Sequence, residues 1–282
     1  MLAGMFLFSA VDTLAKFLTD SFHPLQVVWF RMLGLMFGVI ILLGMRGFVV
    51  LHTQNLKLQI TRGVLAACSA TLFIIAVSFV PLADAVAVSF VAPFIVTVLA
   101  AVVLKEKVGV RRWSAVIIGF IGTLIVVRPG LGVMHPAVML VVVAAGFFAM
   151  RQILSRVLSS SDKTSTTVAY TALMSTALLT IPLPFIWQNP QSGFEIMLIV
   201  AMAVLAAVAE ILVIKALEVA EAVVIAPVHY SLILWGTAYG YLVFGQLPDL
   251  WTWLGTLIIV TSGLYTIYRD WVHKRANHSQ FE

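Results

Sequence analysis

The chain has 282 residues, of which 62% are hydrophobic and 10% are charged, and its formal net charge is +5. This small number of polar residues cannot cover the surface of a soluble protein. The composition therefore excludes a soluble globular fold and predicts an integral membrane protein. The net positive charge indicates how the protein is oriented in the membrane and does not indicate nucleic-acid binding. The one cysteine, Cys68, excludes a disulfide framework and a cysteine-based metal site.

Apolar runs of about 20 residues, the length that crosses a bilayer as a helix, follow one another along the whole chain. Short links that contain proline, glycine or charged residues separate them. The predicted fold is therefore all-α, with ten transmembrane helices at residues 1–18, 25–45, 61–79, 85–104, 113–127, 136–154, 166–187, 196–216, 222–244 and 251–268.

The basic residues indicate how these helices are oriented. With a cytoplasmic N-terminus, ten spans place thirteen lysines and arginines on the cytoplasmic side, and only Arg128 lies clearly outside. One missed helix would reverse every later loop, so the distribution supports the helix count and the orientation together. We expect both termini, with a tail at 271–282, in the cytoplasm and the protein in the inner membrane. The cytoplasmic basic residues are Arg46, Lys57, Arg62, Lys105, Lys107, Arg111, Arg112, Arg156, Lys163, Lys215, Arg269, Lys274 and Arg275.

Two equivalent links carry different charges. Residues 105–112, after the fourth span, include Lys105, Lys107, Arg111 and Arg112, whereas residues 245–250, after the ninth span, include no basic residue. Lysine and arginine stay on the cytoplasmic side, so the two links are expected on opposite faces of the membrane. This predicts two five-helix repeats, 1–130 and 136–270, inserted with inverted topology, which is chiefly a transporter arrangement.

The residues around these links resemble a known family. The first half has Lys105-Glu106-Lys107, Trp113, Gly119, Gly122 and Arg128-Pro129-Gly130, and the second has residues 226–230, Phe244-Gly245-Gln246, Trp253, Gly255 and Gly263-Leu264-Tyr265. Over nearly the whole chain this pattern resembles the ten-helix EamA branch of the drug/metabolite transporter superfamily. The resemblance implies alternating access around a central cavity and a small solute. Within the branch the sequence is similar to bacterial exporters of amino acids, including aromatic ones, and to S-adenosylmethionine carriers. Where many relatives have glutamate in the second link, this chain has Gln246.

Two prolines lie inside spans at corresponding places of the two halves. Pro93 is in the fourth span and Pro227 in the ninth. Proline removes a helical hydrogen bond, and broken helices at equivalent positions point to a transport site. The alternative is that these prolines are tolerated without a functional role, as prolines often are in membrane helices.

Asp12 and Lys16 lie in the first span, and Asp12 is predicted near the middle of the bilayer. Residues four apart share a helix face, so the two can form an ion pair. The functional interpretation is a cavity-facing pair that meets the amino and carboxyl groups of a zwitterionic solute. The alternative is a structural pair in which the lysine reaches toward the interface.

Glu210 lies inside the eighth span, and Lys215 points about 140° away around the same helix. It therefore needs a partner on another helix, water or a proton. The functional hypothesis is that it titrates during transport or binds the amino group of the solute; the alternative is a satisfied hydrogen bond within the protein.

The ninth span contains further candidates. His229 is a possible proton relay and, with Tyr230, lies beside Pro227; a hydrogen-bonded structural histidine is the alternative. Trp235 and Tyr239 share one helix face. They are expected to form either an aromatic wall of the cavity or ordinary packing contacts. In the second span, Arg31 is expected either to attract a solute carboxylate or to pair with an acidic side chain. Arg151, near the cytoplasmic end of its span, can extend to water.

The sequence favours a carrier over an enzyme. It has no HExxH, GxSxG or Walker A motif and no Cys/His cluster, so neither catalysis, a metal, a cofactor nor ATP drive is expected. We predict a secondary transporter that exports amino acids or related small metabolites. The alternatives are an S-adenosylmethionine or nucleobase carrier, a non-transporting structural membrane protein and an intramembrane enzyme. The expected partners are the solute, the lipid bilayer and protons, and we expect a monomer or a weak oligomer.

Overall fold

The structure is a computed structural model that describes residues 2–103, 105, 110–127, 135–158, 161–219 and 231–278. All regular structure in these residues is helical, as the composition predicts. The helices are α1 (Leu2–Leu18), α2 (Pro24–Arg46), a 3₁₀ turn (Gly47–Leu51), α3 (Leu56–Val77), α4 (Leu82–Ser89), α5 (Ala92–Val103), α6 (Val110–Val127), α7 (Val138–Leu158), α8 (Thr164–Thr180), α9 (Leu183–Ile186), α10 (Gly193–Val219), α11 (Ser231–Phe244) and α12 (Leu250–His278).

Five segments in the described part of the chain are long and apolar enough to cross a bilayer. They are Pro24–Leu51, Leu56–Val77, Leu82–Val103, Val138–Leu158 and Gly193–Leu212. Large apolar side chains such as Phe37, Ile40, Val200 and Val204 are more than half exposed on the outside of these helices. Lipid, which is as apolar as these side chains, is the solvent that suits such a surface. The chain is therefore an all-helical, multi-pass membrane protein.

Three predicted spans differ from the helices observed. The fourth is broken between α4 and α5 at Phe90 and Val91, just before Pro93, because proline cannot donate the helical hydrogen bond. The seventh ends at Thr180 rather than at 187, since Pro182 separates it from the single turn α9, which contains Pro184. The last helix continues to His278, so most of the predicted cytoplasmic tail is helical.

The helices pack so that α1 lies inside the bundle. It contacts α10 on one side and α11 on another, while α3 packs against α7 and α8, and α6 packs against α12. Val11, Val28, Ile74, Leu82 and Met202, from five different helices, belong to one buried apolar cluster and are almost fully enclosed. Polar side chains on α1, α2, α3, α7 and α10 are thereby brought into the interior of the bundle.

Gly34 allows α2 and α10 to approach each other closely. A Cβ atom at this position would overlap the backbone carbonyl of Ala203, whereas a Cβ at Gly38, one turn along the same helix, would meet nothing within 4 Å. A small residue is therefore required at the first position and not at the second.

We expect Gly34→Ala to destabilise the protein by about 1–3 kcal/mol, since the added methyl group forces two backbones apart. Gly38→Ala is the matched control and should be neutral or slightly stabilising, because alanine favours helix over glycine. Thermal unfolding of both variants in detergent measures the difference. Equal melting temperatures would show that the α2–α10 contact is looser than the structure indicates.

Candidate functional site

Asp12 and Arg31 form an ion pair between α1 and α2. The Arg31 Nη1 donates to Asp12 Oδ1 at 2.6 Å, and the two side chains are only 16% and 15% exposed. Arg31 also lies over the ring of Phe8, with 5.9 Å between its Cζ and the ring centroid. Of the two roles predicted for Arg31, the structure shows pairing with an acidic side chain.

The predicted ion pair between Asp12 and Lys16 is not formed. Lys16 Nζ instead donates to the carbonyl of Val80 at 2.7 Å and to Gln246 Oε1 at 3.3 Å, and it lies 5.0 Å from the ring centroid of Phe244. The turn between α3 and α4 presents this carbonyl at the end of α1, where Lys16 lies closer to the surface than Asp12 does. The intrahelical prediction failed because partners on neighbouring helices offered better geometry to both residues.

Lys16 borders a cavity of about 300 Å³ at the end of α1. The turns that follow α1, α3 and α11 all contribute to its wall, which explains why residues distant in sequence meet there. Its other lining residues are Thr19, Asp20, Ser78, Phe79, Val80, Pro81, Phe244 and Gln246.

Arg62, on α3, connects this helix to α7 and α8. It is the seventh residue of α3, roughly 9 Å along the helix from Leu56. Its Nε donates to Ser155 Oγ on α7 at 2.7 Å, and its Nη1 donates to the carbonyl of Thr167 on α8 and to Thr171 Oγ1. The sequence analysis placed Arg62 on the cytoplasmic side and did not include it among the site residues. Only the packing of α3 between α7 and α8 reveals its role.

Arg151 and Glu210 lie deeper in the bundle, on α7 and α10. Glu210 attracts both Arg62 and Arg151, while Arg31 and Arg62 repel Arg151. Arg151 lies 4.9 Å from the ring centroid of Phe148, and its Nε is sealed from solvent without a hydrogen-bond partner. Glu210 was predicted to need a partner on another helix, water or a proton. Arg62 on α3 and Arg151 on α7 attract it electrostatically. Arg151 was a second residue that the sequence analysis did not place in the site.

Asp12, Arg31, Arg62, Arg151 and Glu210 are called the central charged group below. Asp12 and Arg31 lie toward the end of the bundle where α1 meets α2, and Arg62 lies toward the opposite end, because α2 runs 23 residues between the two ends. Lys16 extends this series of charges to the cavity. Charges inside a membrane are costly and mark solute or ion pathways. The arrangement therefore forms a polar track through an otherwise apolar bundle.

The predicted aromatic residues of α11 pack against α1. The ring of Phe6 lies 5.3 Å from that of Trp235 and 5.6 Å from that of Tyr239, measured between centroids. The indole Nε1 of Trp235 is buried without a hydrogen-bond partner. Pro93 follows the break between α4 and α5. The other predicted residues, Pro227, His229 and Tyr230, lie outside the described residues.

Asp162 joins two loops at the Arg62 end of the bundle. It accepts hydrogen bonds from Thr53 Oγ1, from Gln59 Nε2 at 2.7 Å and from the backbone amide of Gln54 at 3.3 Å. Partial burial acts to raise the pKa of Asp162, but these bonds, with one from Ser161, outweigh it and lower the pKa. The loop before α3 is thereby tied to the loop before α8.

We expect Asp162→Asn to lower the melting temperature at neutral pH, because an amide cannot accept from all the donors that meet this carboxylate. The folded-state pKa is lowered, so the stabilisation is present above the ordinary pKa of aspartate and is lost as the pH falls through the folded value. Melting temperatures of wild type and variant should therefore converge in acid. Asp20→Asn, at an exposed carboxylate, is the control. A difference between wild type and Asp162→Asn that does not change with pH would contradict the assignment.

A second connection lies at the other end of the bundle. Gln26 Nε2 donates to the carbonyl of Gln188 at 2.8 Å, and the amide of Gln188 donates back to Gln26 Oε1 at 3.0 Å. The first turn of α2 and the segment before α10 are thus held together by paired hydrogen bonds. With the Asp162 connection, both ends of the polar track are bordered by contacts between residues from the first and second halves of the sequence.

Comparison with known proteins identifies the family. The sequence model of the EamA-like transporter family matches the chain twice, over residues 1–128 and 135–268. The chain belongs to the EamA-like transporter family. The match confirms the resemblance inferred from the two links and their flanking residues. It also indicates a transporter rather than an enzyme.

Several curated transporters are similar to this one over most of their length. An S-adenosylmethionine uptake transporter of Rickettsia felis is 28% identical over 93% of this chain and 89% of its own. A riboflavin transporter of Vibrio cholerae is 34% identical over 75% of this chain and 72% of its own. A pseudopaline exporter of Pseudomonas aeruginosa is 25% identical over 91% of this chain and 90% of its own. The named solutes differ, and both uptake and export occur among these relatives.

A solved crystal structure has a similar fold. It matches with a TM-score of 0.61 at 16% sequence identity, over 93% of this chain and 94% of the other. The likeness extends over nearly the entire chain, so the arrangement of helices described above is one that occurs in an experimentally determined protein.

Proposed function

We propose that this transporter is a secondary carrier that moves a small zwitterionic metabolite across the inner membrane by alternating access. The observation that carries the proposal is the polar track. Charged groups on α1, α2, α3, α7 and α10 follow one another through an apolar bundle, and such groups in a membrane interior serve solute or ion pathways.

Two inverted repeats are part of this proposal. The same family model matches residues 1–128 and 135–268, and the links at 105–112 and 245–250 differ in charge as opposite membrane faces require. In carriers built from inverted repeats, the site lies between the halves and rocking of one half against the other exposes it alternately. The connections at Gln26–Gln188 and at Asp162 are the contacts that such a movement would break in turn.

The first candidate solute is an amino acid, moved outward, with aromatic amino acids suited by Phe6, Trp235 and Tyr239 on α1 and α11. The second candidate is S-adenosylmethionine, because the relative from Rickettsia felis, similar along nearly the whole chain, is named for its uptake. Both solutes carry an α-carboxylate and an α-ammonium group. Opposite charges in the track can neutralise both groups inside the membrane.

Flux through purified protein in liposomes tests the proposal. Labelled aliphatic and aromatic amino acids, S-adenosylmethionine, riboflavin and a nucleobase are supplied with and without a pH gradient, and protein-free liposomes are the control. We expect saturable flux of an amino acid or of S-adenosylmethionine. Flux of riboflavin or the nucleobase alone would show that the carrier transports a different solute from the one proposed. No flux of any compound would overturn the carrier function.

A further inference from the structure

Arg151 has unused binding capacity, which distinguishes it from the other arginines of the central charged group. Arg31 is paired with Asp12, and Arg62 donates to Ser155, Thr167 and Thr171. The side chain of Arg151 donates no hydrogen bond in the described part of the chain, and its Nε is buried without a partner. A guanidinium presents donors in a planar fork that matches a carboxylate. A buried group of this kind without an acceptor is costly, so it is suited to an acceptor that arrives with a ligand.

Glu210 is the complementary group. It attracts Arg151 electrostatically, yet the two form no ion pair, and no hydrogen bond to the Glu210 carboxylate is formed within the described residues. Each of these two oppositely charged side chains therefore remains able to bind an oppositely charged group of a ligand. A carboxylate would face Arg151 and an ammonium would face Glu210.

We propose that Arg151 and Glu210 bind the carboxylate and ammonium groups of an α-amino-acid head group, so that the solute class is defined by this head group. The inference rests on the proposed carrier function and adds the place where the solute is recognised. It favours amino acids and S-adenosylmethionine over riboflavin, which has neither group. The Asp12–Arg31 pair is then a structural neighbour of the site, since its charges already satisfy each other.

Matched probes test the proposal in the full-length protein. Binding of phenylalanine and of phenethylamine, which lacks only the carboxylate, is measured by competition or thermal stabilisation. S-adenosylmethionine and its decarboxylated form make a second pair. We expect at least one intact compound to bind about 10- to 100-fold more tightly than its decarboxylated partner, as a charge-assisted hydrogen-bonded contact allows. This comparison uses the wild-type protein and does not depend on whether a variant folds.

Variants then assign the effect to Arg151. In Arg151→Gln the preference for the intact compound should disappear, and Arg151→Lys should restore it only in part because an ammonium lacks the planar fork. Arg156→Gln, at an exposed arginine on the same helix, should keep the full preference. Equal binding of both members of each pair by the wild type, or an unchanged preference in Arg151→Gln, would overturn the proposal. Saturable flux of riboflavin alone would also overturn it while leaving the carrier function intact, whereas absence of all flux would refute the carrier function itself.

Discussion

Arg31→Gln is expected to destabilise the transporter by about 3–5 kcal/mol, because it leaves the Asp12 carboxylate buried without its counter-charge. The two side chains are mostly enclosed and their charged atoms are 2.6 Å apart. Denaturation of the purified protein in detergent measures the loss. Arg46→Gln is the matched control, since Arg46 ends the same helix in an exposed position.

The double variant Asp12→Asn/Arg31→Gln separates the pair from its individual charges. It should recover most of the lost stability, because no unpaired charge remains in the membrane interior. If Arg31→Gln is as stable as Arg46→Gln, the ion pair contributes little. If the double variant is no better than Arg31→Gln, the arginine acts through some contact other than Asp12.

Glu210→Gln is expected to reduce solute flux by about 10- to 100-fold, since the substitution removes the negative charge that attracts both Arg62 and Arg151. Under the proposed function it also removes the partner of the solute ammonium group. Initial rates in liposomes, measured with the solute identified in the panel, report the effect. Glu195→Gln, near the start of the same helix and away from the central charged group, should transport at the wild-type rate.

The pH dependence of the same variant tests whether Glu210 also carries a proton. If it does, wild-type flux should respond to a pH gradient and Glu210→Gln flux should not, because glutamine cannot titrate. A variant that binds solute weakly but keeps the gradient response would restrict Glu210 to binding. Normal transport by Glu210→Gln across the pH range would remove both roles.

The local sequence was sufficient to predict a membrane protein, but it did not predict the partners of the charged residues. Helix in an apolar run follows directly from the bilayer, where each backbone hydrogen bond must be made within the segment. Pro93 likewise indicated a break in its span, because proline acts on its own helix. The seventh span was predicted to continue past Pro182, but its helix ends at Thr180. Asp12 was predicted to be able to pair with Lys16 one turn away, but its partner is Arg31 on the next helix.

Arg62 and Arg151 show the same limitation for the site. Each lies close enough to a predicted cytoplasmic end that a long side chain extending to water was the simplest interpretation. An available signal was the spacing of Arg151 and Ser155, four residues apart on one helix face, with Ser155 receiving a hydrogen bond from Arg62. That signal has no meaning until α3 is known to pack against α7.

By itself, the sequence determined that this protein is an all-helical membrane protein of the EamA-like family, since hydropathy, proline positions and the two similar halves are properties of short segments. Only the tertiary structure decided which charges meet. Partner choice depends on distances between helices far apart in the chain, and Asp12 and Lys16, one helix turn apart, contact different parts of the bundle. The polar track and the attraction between Arg151 and Glu210 are therefore consequences of packing.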